Sequence, residues 1–447
     1  MAPPFLDDSG FWAGFSGPGG FSEDCLVLNV STPGLRGREK RPVMVWLHGG
    51  VYAYGSGGAP AYDGTNLAAE HDVVVLTLNH RLNLFGYLYL PKLYGDRFAD
   101  SGNVGMLDIV LALEWIRENI AHFGGDPGNV TLFGQSGGGY KISTLMAMPA
   151  ARHLFHKAIV ESGSQLRVRS AESANILVEK CLSYLRVAAG RIDDLVALPA
   201  NQIIAALQAM VPNPFFDFGP VVDGRSLLRQ PFDPDAPEGT ADVPMLIGTN
   251  RDETISLNGQ YDPATFSLNA AELKSRLKSY LHLDNESRLN ALIATYTKQR
   301  QNSTPSDIYF AVTTDADFRM DAIAQAELKS AQHSAPAYMY LFDSPLPMEE
   351  GRLKAAHGAE IPFVFDNLDK LPGWGLSRTG NLQRLADQMS GAWAAFARTG
   401  NPNRTGLPRW PAYDPDTRAT MILNNECHVE NDPGRAERMA LSSLRKL

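Results

Sequence analysis

Short β-branched runs alternate with helix-period stretches through the first third of the chain. Val43 to Leu47, Val73 to Leu78, Val130 to Phe133 and Ala158 to Val160 are apolar at nearly every position, which predicts strands buried on both faces. Between the second and third, Met106, Ile109, Val110, Leu113, Ile116 and Ile120 recur at the i, i+3, i+4, i+7 spacing of one helix face. Strands joined by helices imply right-handed crossovers, so the fold class is α/β: a mainly parallel central sheet with helices on both faces. Pro244 to Gly248 and Ala337 to Phe342 are expected as later strands, and Thr420 to Leu423 as an edge. From about Ala270 to Ser330 the pattern is helical and more polar, without strand candidates. With its flanks, about 255–332, it is expected to be an inserted helical layer rather than a separate domain, because strand signals resume after it. One domain over 22–447 then follows an irregular segment, 1–21, rich in Gly, Asp and Pro.

Composition narrows the class only a little. At 447 residues the chain can bury a large core. A net charge of −9 gives no electrostatic reason to expect nucleic acid or an anionic membrane as partner. The longest apolar runs, such as Val73 to Leu76, are strand-sized, so no membrane span is expected. The N-terminus lacks the basic start and apolar core of a signal peptide, and Cys25, Cys181 and Cys427 do not make a disulfide framework. A reduced, cytoplasmic setting is the expectation. Asn-x-Ser/Thr triplets at Asn29, Asn129 and Asn302 carry no weight without secretion.

The chemistry centres on Phe133-Gly134-Gln135-Ser136-Gly137-Gly138, placed between a predicted strand and a predicted helix. In that context a G-x-S-x-G turn holds a serine oxygen up at the end of a sheet as a nucleophile. A β-carbon at Gly134 or Gly138 is expected to collide where strand and helix meet. Serine is a poor nucleophile near neutral pH, so Ser136 needs a base, and the base needs an anion to orient it. On such sheets the chain order is Ser, then Asp or Glu, then His. That order leaves His282, His333, His357 and His428. His282 falls inside the helical layer, His333 near a helix end and His428 in a polar tail beyond the last strand. His357 lies in a Gly-bearing loop after a predicted strand, where a sheet presents reactive groups. The acid should follow a strand between Ser136 and His357. Met245 to Gly248 runs into Thr249-Asn250-Arg251-Asp252-Glu253, so two adjacent carboxylates compete, and both could equally be solvated loop charges paired with Arg251. Acyl transfer also needs amide donors for an oxyanion. His48-Gly49-Gly50-Val51-Tyr52 after the first strand is an HGG-type turn of the kind that supplies them, and the amide of Gly137 would be a third donor.

With these residues in view the chain resembles the type-B carboxylesterase family, which includes cholinesterases and bacterial p-nitrobenzyl esterases. The likeness runs from Phe21 nearly to the C-terminus. It is carried by Ser22-Glu23-Asp24-Cys25-Leu26-Val27-Leu28-Asn29-Val30, Asn79-His80-Arg81 with Phe85-Gly86, Phe123-Gly124-Gly125-Asp126-Pro127, the serine turn, His357-Gly358 with Pro362-Phe363-Val364-Phe365, and Gly400-Asn401-Pro402 with Trp410-Pro411. The resemblance implies an α/β-hydrolase fold and hydrolysis of small to medium apolar esters, with Ser136 as nucleophile, His357 as base and Glu253 as acid. It likewise implies the amides of Gly50, Val51 and Gly137 as oxyanion donors, and a buried ion pair between Arg81 and Asp108. It calls for no metal or organic cofactor, and the partner it implies is a small-molecule ester. An amide- or carbamate-cleaving hydrolase, and a non-catalytic adhesion or scaffold relative, are the competing readings.

Three departures from the family pattern matter. Family members carry a longer N-terminal segment, with a cysteine bonded to the position of Cys25, so either a more open site or a shortened reading frame is expected here. Gln135 replaces the glutamate of cholinesterases, which weakens the case for a cationic substrate. Val51 replaces the third glycine of the fuller oxyanion motif, narrowing the floor near the acyl group. Phe216, Phe218 and Phe363 could line an apolar pocket, although core packing is the commoner role for such residues.

Overall fold

Val43 through Leu47 have no accessible surface, because this run lies between two parallel neighbours with both faces covered. The computed structural model describes residues 11–17, 20–35, 40–188, 190–210 and 217–444. They fall into two compact units, one from Gly14–Pro244 and the other from Met245–Leu447 with the described part of Ser9–Ala13.

The first unit carries β1 (Leu28–Ser31), β2 (Arg41–Leu47), β3 (Val74–Leu78), β4 (Gly125–Gln135) and β5 (Lys157–Glu161) in the order β1-β3-β2-β4-β5. β3, β2, β4 and β5 are parallel, while β1 closes the edge antiparallel to β3. β1 escaped the pattern reading because it lies at an edge and only half buries its side chains. β4 runs further at both ends than its β-branched centre predicts. The expected helix is α1 (Val104–Asn119); Met106, Ile109, Val110, Leu113, Ile116 and Ile120, the last just beyond its end, are all buried. A second helix, α2 (Gly137–Ala147), begins directly after β4. Two short strands, β6 (Arg169–Ser170) and β7 (Val221–Val222), pair in parallel apart from this sheet.

The second unit carries β8 (Met245–Asn250), β9 (Ala337–Phe342), β10 (Ala419–Leu423) and β11 (His428–Asn431) in that order. The first three are parallel and β11 is antiparallel to β10. Thr420 to Leu423 is therefore not an edge: β11 lies outside it, and its polar sequence hid a strand whose outer face meets water. His428, expected in a tail beyond the last strand, is the first residue of β11. Between β8 and β9 the chain is helical in five segments, Thr254–Tyr261, Ala270–Tyr280, Glu286–Gln299, Pro305–Thr314 and Met320–Ser330. Two start with a reciprocal cap, Asn269 with Glu272 and Thr304 with Asp307, which satisfies amides at the helix start. The last two are joined by a π-helical turn at Asp315–Arg319.

Among the described residues no helix is long and apolar enough to cross a membrane. Cys25, Cys181 and Cys427 are free thiols.

Candidate active site

β4 delivers the chain to Gln135 and α2 takes it up at Gly137, which leaves Ser136 to make the turn. Its backbone sits at φ 55, ψ −121, a sparsely populated conformation that persists only where the surroundings enforce it. The enforcement is visible. The Ser136 amide donates to the carbonyl of Glu161 on β5 at 2.8 Å, and its own carbonyl accepts from the Tyr140 amide at 3.1 Å. Strand and helix also approach so closely that a β-carbon on Gly134 would lie 2.9 Å from the Gly138 carbonyl carbon. One on Gly138 would lie 1.9 Å from the Leu47 carbonyl oxygen. Both glycines are required for the steric reason expected.

The HGG turn leaves β2 beside this elbow. Gly50 has φ +85 and Val51 φ +55, and the Gly50 carbonyl accepts from the amides of Ala53 and Tyr54 at 3.0 and 3.2 Å. A β-branched residue in the left-handed region is a genuine outlier, so Val51 holds a conformation that glycine would adopt without strain. A β-carbon added to Gly137 would fall 2.3 Å from the Val51 amide nitrogen. Val51 thus lies directly against Gly137, with Gly50 next to it in the chain.

A cavity of about 230 Å³ opens beside Val51, lined also by Tyr52, Tyr140, Val168, Phe218 and, at its polar side, Gln165 and an Arg169–Asp217 pair (3.2 Å). The Tyr52 hydroxyl donates to Gln165 Oε1 at 2.5 Å. Phe218 therefore lines this cavity, whereas Phe363 is packed in the core of the second unit against Phe342. Phe216 lies outside the described residues.

In the second unit, Glu253 follows β8 and is fully buried. One carboxylate oxygen accepts from the Asn250 amide at 2.8 Å and the other faces His357 Nδ1 at 2.6 Å. His357 is buried as well, its ring 4.9 Å from that of Phe318 on the π-helical turn. Asp252 points elsewhere. Its amide donates to the Ala355 carbonyl at 3.0 Å, and burial raises its carboxyl pKa while the nearby Lys354 opposes the shift. Arg251 pairs with neither candidate but with Asp343, at 2.8 Å. Of the remaining histidines, His282 and His333 sit in the turns after Ala270–Tyr280 and Met320–Ser330, and His428 is exposed on β11.

Two residues around this pair were not anticipated. Asn250 donates from its side chain to the Ala356 carbonyl at 2.7 Å and to Glu360, tying the end of β8 to the loop that carries His357. Phe318 covers the imidazole. Asn250 lay inside a strand-to-loop motif and could have been flagged as polar in an apolar run; nothing in the local pattern marks a π-helical turn.

Arg81 and Asp108 form the expected pair, with bonds of 2.8 and 2.6 Å and a third from the Arg81 amide at 2.9 Å. It is buried on one side only: the Asp108 side chain is 3% exposed and that of Arg81 42%.

A parallel sheet that presents a strained serine turn beside an HGG turn defines an α/β-hydrolase. Residues 6–441 match the model of the carboxylesterase family. The chain is 38% identical over 426 residues to the para-nitrobenzyl esterase of Bacillus subtilis (strain 168), covering 94% of this chain and 83% of that one. It is 32% identical over 439 residues to the phenmedipham hydrolase of Pseudarthrobacter oxydans, covering 95% and 84%. Among solved structures, a carboxylesterase of Geobacillus stearothermophilus superposes with a TM-score of 0.83 at 37% identity, over 95% of this chain and 87% of the other. The protein belongs to the carboxylesterase family and is an ester-hydrolysing enzyme.

Proposed function

We propose that the protein hydrolyses small to medium apolar carboxylic esters through a covalent acyl-enzyme, with Ser136, His357 and Glu253 as its triad. Ser136 Oγ attacks the ester carbonyl as His357 Nε2 takes its proton; the tetrahedral oxyanion is held by the amides of Gly50, Val51 and Gly137. His357 then protonates the leaving alcohol, and water repeats the sequence to release the acid. Glu253 accepts from His357 Nδ1, fixing the imidazole tautomer with the proton on that nitrogen. The observation that carries the reading is the buried 2.6 Å contact between His357 Nδ1 and a carboxylate held in place by a backbone amide, in a chain whose serine occupies a strained elbow. The apolar side of the cavity, formed by Val51, Tyr52, Tyr140, Val168 and Phe218 opposite the polar Gln165, Arg167, Arg169 and Asp217, supports an uncharged acyl or alcohol group of moderate size. Para-nitrobenzyl esters are reasonable first substrates, given the name of the Bacillus relative.

Ser136→Ala is the first test. It should abolish p-nitrobenzyl ester turnover and covalent labelling by an organophosphate together; survival of both would refute the nucleophile assignment. Matched ester and amide substrates separate an esterase from an amidase, and the ester should be turned over faster.

A further inference from the structure

Lys141 lies on α2, the helix that begins at the nucleophile elbow, and its side chain is completely buried. The proposed reaction gives it no part. Its Nζ donates to the His48 carbonyl at 2.8 Å and stands 5.9 Å from the centre of the Tyr52 ring. His48 and Tyr52 are the residues on either side of Gly49-Gly50-Val51. One side chain rooted in α2 therefore bonds one end of the turn that carries two of the proposed oxyanion donors and stands beside the aromatic ring that follows its other end. That turn has positive φ at two successive residues, Gly50 and Val51, and is strained at the second, and strained backbone keeps its shape only where neighbouring groups over-determine it.

We propose that Lys141 is a positioning residue that locks the HGG turn against the elbow helix, fixing the Gly50 and Val51 amides relative to that of Gly137. The inference rests on reading those three amides as the oxyanion donors. Burial supports a purpose of this kind: it lowers the Lys141 pKa well below the ordinary lysine range, a standing cost that an apolar residue would avoid. Burial, with a smaller contribution from Lys141, lowers the pKa of the neighbouring His48 imidazole to about 3. That imidazole stacks on the His80 ring at 5.0 Å.

Lys141→Met keeps the chain length and loses the donor, which separates positioning from packing. The melting temperature should stay level or rise. For p-nitrophenyl acetate kcat should fall roughly ten- to hundredfold, with KM within about twofold, and a trifluoromethyl ketone, which forms a tetrahedral adduct, should bind weaker by the same factor as kcat. Unchanged kcat and unchanged ketone affinity in a folded variant would overturn the proposal. If Lys141→Met does not fold, Lys141→Gln is measured in the same way; failure of both to fold would also overturn it, since the lysine would then be a structural requirement. Wild-type protein run alongside distinguishes the two layers. If it is neither labelled at Ser136 nor active, the triad reading fails and this inference falls with it, whereas an active wild type with an unaffected Lys141→Met sinks the positioning role alone.

Discussion

Glu253 and Asp252 are neighbours in the sequence with different partners, and they should separate cleanly on substitution. Glu253→Gln removes the anion that orients His357 and should lower kcat/KM by roughly 10³–10⁴-fold, with the fold retained. Asp252→Asn should leave kcat/KM within a few-fold. The sign of its stability effect follows from its raised pKa. The unfolded chain ionises this carboxyl first, so its contribution to stability declines as pH rises above about 3.8 and up to the folded pKa. At neutral pH the Asn variant should therefore melt no lower than wild type, with the difference shrinking toward pH 3.8. Melting curves across that range check it; loss of activity in Asp252→Asn with full activity in Glu253→Gln would reverse the assignment. Val51 is a second residue-scale case. Relief of a left-handed β-branched residue is worth about 1–3 kcal/mol, against roughly 0.5–1 kcal/mol of added chain entropy for glycine. Val51→Gly should thus melt at or above the wild-type temperature, and a fall of several degrees would show that the valine contributes packing that outweighs its strain. From the sequence the two carboxylates were inseparable, because which one faces His357 depends on how a loop about a hundred residues later folds against them, a contact that no local pattern encodes. The strain at Val51 was similarly hidden, although its departure from a glycine motif pointed to the position.

At the scale of elements, the close approach of β2, β4 and α2 dictates where side chains cannot go. Gly137→Ala puts a methyl group 2.3 Å from the Val51 amide, so the two donors must separate. The variant should lose at least about a hundredfold in kcat, read with the same p-nitrophenyl ester, and near-wild-type turnover would mean the amides are not used as described. Arg81 and Asp108 make an asymmetric pair between the loop after β3 and helix α1. Arg81→Met leaves Asp108 buried without its cation and should cost about 2–3 kcal/mol, whereas Asp108→Asn leaves an arginine that already reaches water and should cost less. Urea denaturation of both variants decides, and equal losses would contradict the one-sided burial. The strands buried on both faces and α1 were readable because burial is written directly in their runs of apolar residues. The edge strands β1 and β11 were not, since one face of each meets solvent and their sequences resemble loops. The π-helical turn that brings Phe318 to His357 arises from packing between helices, where periodicity carries no trace.

At the scale of the molecule, the proposed reaction draws its groups from positions 136, 253 and 357, with the acid and base on the loops that follow β8 and β9. The G-x-S-x-G turn pointed to the serine, chain order and loop position pointed to the histidine, and the family resemblance selected the glutamate. The encounter of a neutral ester with a chain of net charge −9 needs no electrostatic steering and should depend little on salt. The most direct test of the central claim is the rate at which an organophosphate modifies the protein, followed by intact mass and peptide mapping. The account predicts a single adduct on Ser136 in the wild type, formed at least a hundredfold more slowly in His357→Ala although that variant remains folded. An adduct on another residue, or an equal rate in the two proteins, would contradict it.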